Sequence, residues 1–224
     1  MSLVKELFIF DIDGVLFNSE SLVIEAVFKA VIDFEKESGY RLRLPSREKI
    51  LSGVGLPNDL FIENLGLNVS DEEKDLFKNL LIASEVSLMK NGKGNLYPGM
   101  KDVLEYLYNS GKKLAIGSGC KREYLISFLE TFSLEDFFEI SICGDDIAGR
   151  DKKEILEMVL EHQEMFPSEA VYIGDTVSDY FSSKALNVDF IGVLWGYGKR
   201  EDFPEGVELV STLDELKNLL YNLI

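Results

Sequence analysis

The chain carries only two cysteines, Cys120 and Cys143, and a single histidine, His162. Two thiols make no disulfide framework, and His162 stands late in an amphipathic pattern that reads as an exposed helix face. No apolar run approaches the 18 or so residues of a membrane span, and no secretory leader opens the chain, so a cytoplasmic protein is expected. Basic side chains are scarce as well: 23 against 40 acidic ones, a formal net charge of -17 at pH 7. Nucleic acid and anionic membrane surfaces are therefore poor partners, because both require basic patches. An anionic ligand would need positive charge supplied locally. What the chain does have is apolar content of 46 % over 224 residues. That suffices for one large domain, or a core with a smaller insertion. Internal repeats and low-complexity segments are missing, and nothing in the sequence specifies an oligomeric state.

The most informative stretch is Leu7-Phe8-Ile9-Phe10-Asp11-Ile12-Asp13-Gly14-Val15-Leu16. Its apolar run is too short for a typical helix and reads as a buried parallel strand. In an extended chain residues i and i+2 share a side, so Asp11 and Asp13 can face one crevice, and Gly14 lets the backbone turn. Two carboxylates about 4 Å apart repel by roughly 4 kcal/mol at an effective dielectric near 20. A divalent cation is the leading candidate to offset this; a plain acidic turn is the alternative.

Ser19 is placed to cap a helix running to about Glu37 and ended by Gly39. Helical patterns follow near Ser46 to Leu51, Asn58 to Leu65 and Ser70 to Lys90, the last opened by the capping box Ser70-Asp71-Glu72-Glu73. Residues 19–91 thus read as an inserted helical unit, and Asn91-Gly92-Lys93-Gly94-Asn95 as a linker. From Tyr97-Pro98-Gly99 onward strands and helices alternate. Strands are expected at Lys113 to Gly117, Glu139 to Cys143, Val171 to Ile173 and Phe190 to Leu194. Helices are expected near Lys101 to Asn109, from Arg122, at Lys152 to His162, Val177 to Ala185 and Thr212 to Leu220. This is an α/β pattern: a Rossmann-like, doubly wound parallel sheet built from residues 1–18 and 92–224, with an α-helical cap domain at 19–91. Ligands of such sheets bind beyond the carboxyl ends of the strands.

Two further strand ends and one turn before a helix carry chemistry. Ala115-Ile116-Gly117-Ser118-Gly119-Cys120 offers a hydroxyl and accessible main-chain amides that suit a phosphoryl oxygen, or an ordinary turn. Gly174-Asp175-Thr176-Val177-Ser178-Asp179 puts Asp175 at a helix cap and Asp179 one turn on. With Asp11 and Asp13 these acids resemble an oxygen-ligand site for Mg²⁺. Gly149-Arg150-Asp151-Lys152-Lys153-Glu154 precedes a helix and offers a lysine to a carboxylate or a phosphate.

In this order the motifs resemble the haloacid dehalogenase-like superfamily of phosphohydrolases over the whole length. Asp11-Ile12-Asp13-Gly14-Val15-Leu16 matches D-x-D-G-[VT]-L, and Ser118 matches the second-motif hydroxyl. Lys152 or Lys153 matches the third-motif lysine, and Gly174-Asp175 with Asp179 matches G-D-x-x-x-D. Tyr97-Pro98-Gly99 and Val193-Leu194-Trp195-Gly196-Tyr197-Gly198 look like the phosphoglycolate phosphatase-like branch. The chain departs from the family at Gly119-Cys120, where Asn-Lys is common, and lacks the K-P-x-P form of the third motif.

The resemblance implies a hydrolase of a small phosphorylated metabolite. In it Asp11 attacks phosphorus to form an aspartyl-phosphate, and Asp13 serves as acid and then base. Ser118 and Lys152 hold the phosphoryl oxygens, with Gly14, Gly119 and Lys153 as further substrate contacts. Mg²⁺ would be held by the Asp11 carboxylate, the Asp13 carbonyl and Asp175, with Asp179 supporting. Asp13 argues against a dehalogenase, which lacks the second aspartate. Val23 and Leu56 stand where β-phosphoglucomutase has a histidine and an arginine, and Lys29 and Lys49 leave a phosphonoacetaldehyde-type Schiff base open. A phosphometabolite-binding protein without activity is the reading from another class. Gly53 to Asn58 is expected to be the loop that inspects the substrate, and Lys199-Arg200 a solvated loop or an anion contact.

Overall fold

The computed structural model describes residues 4–147 and 151–224. Its centre is β1 (Leu7–Phe10), whose four side chains are all buried because both faces of the sheet are covered. On one side of it lie β4 (Lys113–Ser118) and then β5 (Ile140–Cys143); on the other lie β6 (Ala170–Gly174), β7 (Asp189–Val193) and β8 (Leu209–Val210). All pair in parallel, in the order β5-β4-β1-β6-β7-β8. The two-residue alternation of a strand sorts the core. Phe8 and Phe10 face the layer of α5 (Met100–Asn109), α6 (Arg122–Phe132) and α9 (Leu213–Tyr221), whereas Leu7 and Ile9 face α7 (Lys152–Gln163). The helix α8 (Val177–Ala185) packs beside α7. This is the doubly wound α/β arrangement expected, with the short β8 added at the edge.

Between β1 and β4 the chain detours into α1 (Glu20–Ser38), α2 (Arg47–Leu51), α3 (Asn58–Leu65) and α4 (Asp71–Lys90). These four helices have an apolar core of their own around Val27, Phe34, Ile50, Phe61, Phe77 and Leu81. The Ser70 capping box is formed, and Gly39 ends α1 at φ 76°. The detour leaves and rejoins the sheet through β2 (Phe17–Asn18) and β3 (Asn95–Leu96), a two-residue antiparallel ribbon. The expected linker therefore ends in a strand at Asn95.

Ser19 does not cap α1: no side-chain cap bond forms, and its hydroxyl lies 2.8 Å from the Tyr197 hydroxyl instead. Gly149 and Arg150 lie outside the described residues. Among the described residues no helix is long and apolar enough to cross a membrane.

Candidate active site

Three adjacent parallel strands deliver their ends to one crevice: Asp11 follows β1, Ser118 ends β4, and Asp175 follows β6. Asp11 is buried and held at both oxygens. Its Oδ1 accepts from the Ile12 N–H at 2.8 Å, and its Oδ2 accepts from the Lys152 ammonium. Lys152, the first residue of α7, also donates to Asp179 Oδ1 and so ties the two carboxylates together from below. Burial opposes the charge on Lys152, but Asp11 and Asp179 outweigh it and hold the ammonium well above its ordinary range.

Lys153 does not join this group. It points away on the outer face of the same helix turn, where it pairs with Glu157 at 3.0 Å. The Asp151 side chain accepts from the Lys153 N–H at 2.9 Å and sets the helix start, and that phase sends Lys152 inward.

The cap of α8 is Thr176, not Asp175. Thr176 and Asp179 form a reciprocal capping box, so Asp179 sits at the third helical position. Asp179 Oδ2 accepts from Thr176 N at 2.9 Å, Thr176 Oγ1 at 2.8 Å and Asp175 N at 3.2 Å. The Tyr172 hydroxyl lies 3.2 Å from Asp179 Oδ1 and 3.0 Å from the Gly117 carbonyl. Burial works against the charge of Asp179, yet Lys152 and these bonds hold the carboxyl below its usual range. Asp175 is freed from capping and aims into the crevice, where Tyr197 N donates to its Oδ2 at 2.7 Å.

One carboxylate oxygen each from Asp11, Asp175 and Asp179 falls within a 4.8 Å cluster. Burial, then the charges of Asp179 and Asp11, push the Asp175 carboxyl well up, and burial likewise raises Asp11. Three buried carboxylates facing one lysine leave negative charge uncompensated, and a hard divalent cation with oxygen ligands fits that donor set. Asp11 and Asp175 have the less occupied oxygens; those of Asp179 are largely taken by hydrogen bonds.

Gly14 makes the turn expected of it, but its amide does not offer the substrate contact also expected. Its N–H donates to the Phe17 carbonyl at 3.0 Å, so the amide is not free for a substrate. It holds φ +79°, and a Cβ there would sit on the Asp175 carboxylate; Gly196 meets the same carboxylate from the other side. The Trp195-Gly196-Tyr197-Gly198 loop thus closes over the acidic cluster.

A cavity of about 70 Å³ opens above, lined by Asp11, Asp13, Ser118, Gly119 and Lys152 from the sheet side. From the helical unit come the loop residues Gly53 to Leu56, with Val23, Phe61 and Glu85. Asp13 is half-buried, and Tyr124 on α6 donates from its hydroxyl to Asp13 Oδ1 at 2.6 Å. Burial raises the Asp13 carboxyl to about 6, against hydrogen bonds from Ser19 and Tyr124. That value suits a group that gives and takes a proton near neutrality. Burial holds the Cys120 thiol well above its ordinary range, so it is no ready thiolate. His162 is exposed on α7 and Lys199-Arg200 is exposed beyond β7, both away from this cavity.

Tyr124, Tyr197 and Glu85 were not singled out from the sequence. Glu85 did leave a signal: Phe77, Leu81 and Met89 are buried rungs of one i+4 ladder on α4, and Glu85 occupies the rung between.

A model of the haloacid dehalogenase-like hydrolase family matches residues 8–193. The chain is 28 % identical over 215 residues to a phosphorylated carbohydrates phosphatase of Thermotoga maritima, covering 92 % of this chain and 90 % of that one. It is 27 % identical over 226 residues to a phosphoglycolate phosphatase of Nitrosococcus oceani, covering 96 % of each. Its fold is similar to that of CbbY from Rhodobacter sphaeroides, crystallised with phosphate, at a TM-score of 0.81 and 20 % identity over 95 % of this chain and 96 % of that one. The chain belongs to the haloacid dehalogenase-like hydrolase family, and the relatives it resembles include that family's phosphoglycolate phosphatases.

Proposed function

We propose that the protein is a Mg²⁺-dependent phosphomonoester hydrolase of a small phosphorylated metabolite, working through an aspartyl-phosphate. The observation that carries this reading is the convergence of Asp11, Asp13, Ser118 and Lys152 on one cavity at the strand ends. Asp11 is the nucleophile: the Ile12 N–H and Lys152 fix its rotamer, so an oxygen meets phosphorus without reorganisation. Asp13, oriented by Tyr124, protonates the departing alkoxide and then takes the proton of the water that cleaves the acyl phosphate. Ser118 and Gly119 meet the transferring phosphoryl oxygens, and Lys152 offsets their charge.

Asp11, Asp175 and the Asp13 carbonyl would hold Mg²⁺, with Asp179 orienting Lys152 and Thr176 behind them. Bound there, the ion supplies positive charge to the phosphoryl group in a protein otherwise poor in it. Residues 19–91 act as a cap domain whose Gly53 to Leu56 loop faces the leaving group.

Phosphate release from a panel of phosphorylated metabolites and a generic aryl phosphate tests this. Turnover that requires Mg²⁺ and returns after a chelator is neutralised is expected. Uniform inactivity with Mg²⁺ present would favour a binding protein without activity.

A further inference from the structure

Glu85 is half-buried on α4 and lines the same cavity, opposite the strand ends. Its carboxyl makes no hydrogen bond or ion pair among the described residues. It is held by the packing of the ladder on either side of it, Leu81 below and Met89 above, both buried. Its carboxyl opens into the cavity and not onto a protein partner, so a ligand seated there takes the place of solvent against it.

The rest of the wall on that side is apolar: Val23, Val54, Leu56 and Phe61. The two cations at the cavity are already committed. Lys152 is shared by Asp11 and Asp179, and Lys121 pairs with Asp145 at 2.5 Å. A leaving group that enters with its phosphate at Asp11 therefore meets, among the described residues, the Glu85 carboxyl on a largely apolar wall and no uncommitted cation. A hydroxyl can donate to that acceptor. A carboxylate would be placed beside another carboxylate, and Asp13 adds a second negative charge nearby.

Taking the cavity as the substrate seat proposed above, we propose that Glu85 selects the leaving group. In its ionised form it favours phosphate esters of uncharged polyols or sugars, whose hydroxyl hydrogen-bonds to its carboxylate, and rejects carboxylate-bearing esters such as phosphoglycolate. Recognition of a hydroxyl by a buried polar group discriminates strongly, because an analogue without the donor leaves that group unpaired. Of the two substrate classes named for the relatives, this chain is built for the carbohydrate type.

Calorimetric binding to the full chain carrying Asp11→Asn, with Mg²⁺ at pH 9 so that Glu85 is ionised, tests this without turnover. Glycerol 3-phosphate and phosphoglycolate are the probes, since they are close in size. Glycerol 3-phosphate is expected to bind at least tenfold tighter, and adding Glu85→Gln should shrink that ratio at least threefold. A ratio below tenfold in the parent, or a smaller change with Gln, overturns the inference. Hydrolysis of an aryl phosphate by the wild type is scored apart. Hydrolysis without the preference removes the role of Glu85 alone, and the preference without hydrolysis removes the phosphatase reading alone.

Discussion

The Tyr124 hydroxyl donates to Asp13 Oδ1 at 2.6 Å, joining the first helix beyond Ser118 to the second acid of the first motif. Tyr124 is a positioning residue: it touches the acid–base carboxyl and leaves the phosphoryl site to others. Tyr124→Phe should lower kcat about tenfold with an alkyl phosphate and far less with a nitrophenyl phosphate, whose leaving group needs little protonation. Steady-state kinetics with the two substrates check this. Equal losses would mean that Tyr124 acts on packing alone.

The two lysines that start α7 should separate cleanly. Lys152→Met strands the Asp11 and Asp179 charges in the interior, and loss of about 3 kcal/mol of stability is expected at neutral pH. Lys153→Met removes a solvent-exposed pair with Glu157 and should leave the unfolding midpoint where it was. Denaturant unfolding of both variants measures the difference.

Asp175→Asn gives a readout of the metal site that needs no activity. The raised Asp175 carboxyl reports a buried charge repelled by Asp179 and Asp11, so the neutral isostere should be more stable than wild type in chelator. A rise of roughly 2–4 °C in the thermal midpoint is expected, on the order of 1 kcal/mol for a chain of this size. The wild type should gain stability when Mg²⁺ is added and Asp175→Asn should not, because only a ligand bound to the folded state shifts the midpoint.

Glu85 makes stability depend on pH in a definite direction. Burial, then the Asp13 charge, raise its carboxyl from 4.5 to about 8, with Tyr124 facing it from α6. Between those values the folded chain holds a proton that the unfolded chain has released, so this group's contribution falls as pH rises from 4.5 to 8 and stays low above. Glu85→Gln cannot titrate there. It should match the wild type near pH 4 and exceed it by about 1–3 kcal/mol at pH 9, as read from urea unfolding at the two pH values.

Much of this architecture is legible in the sequence where one element carries its own signal. β1 announces itself by an unbroken apolar run ending in acids, and α4 by its capping box, because both patterns are local. The β2–β3 ribbon and β8 are two residues per strand, too short for any period to show. Whether Lys152 or Lys153 enters the site depends on the phase of one helix turn, which the Asp151 cap sets in three dimensions. Asp175 and Thr176 compete for the same cap, and only the return bond from Asp179 decides it. Tyr124, just past Ser118, and Glu85, on the inserted helices, both lie far from Asp13 in sequence, so their nearness to it is a product of folding.

The nucleophilic role of Asp11 is the centre of this account. It is tested most directly by quenching the wild type during turnover of a phosphomonoester with Mg²⁺, reducing with borohydride, and sequencing the peptide that contains residue 11 by mass spectrometry. An aspartyl-phosphate is reduced to homoserine, so homoserine at position 11, absent without substrate, is predicted. Continued phosphate release with Asp11 unmodified, and with Asp11→Asn still active, would contradict the account.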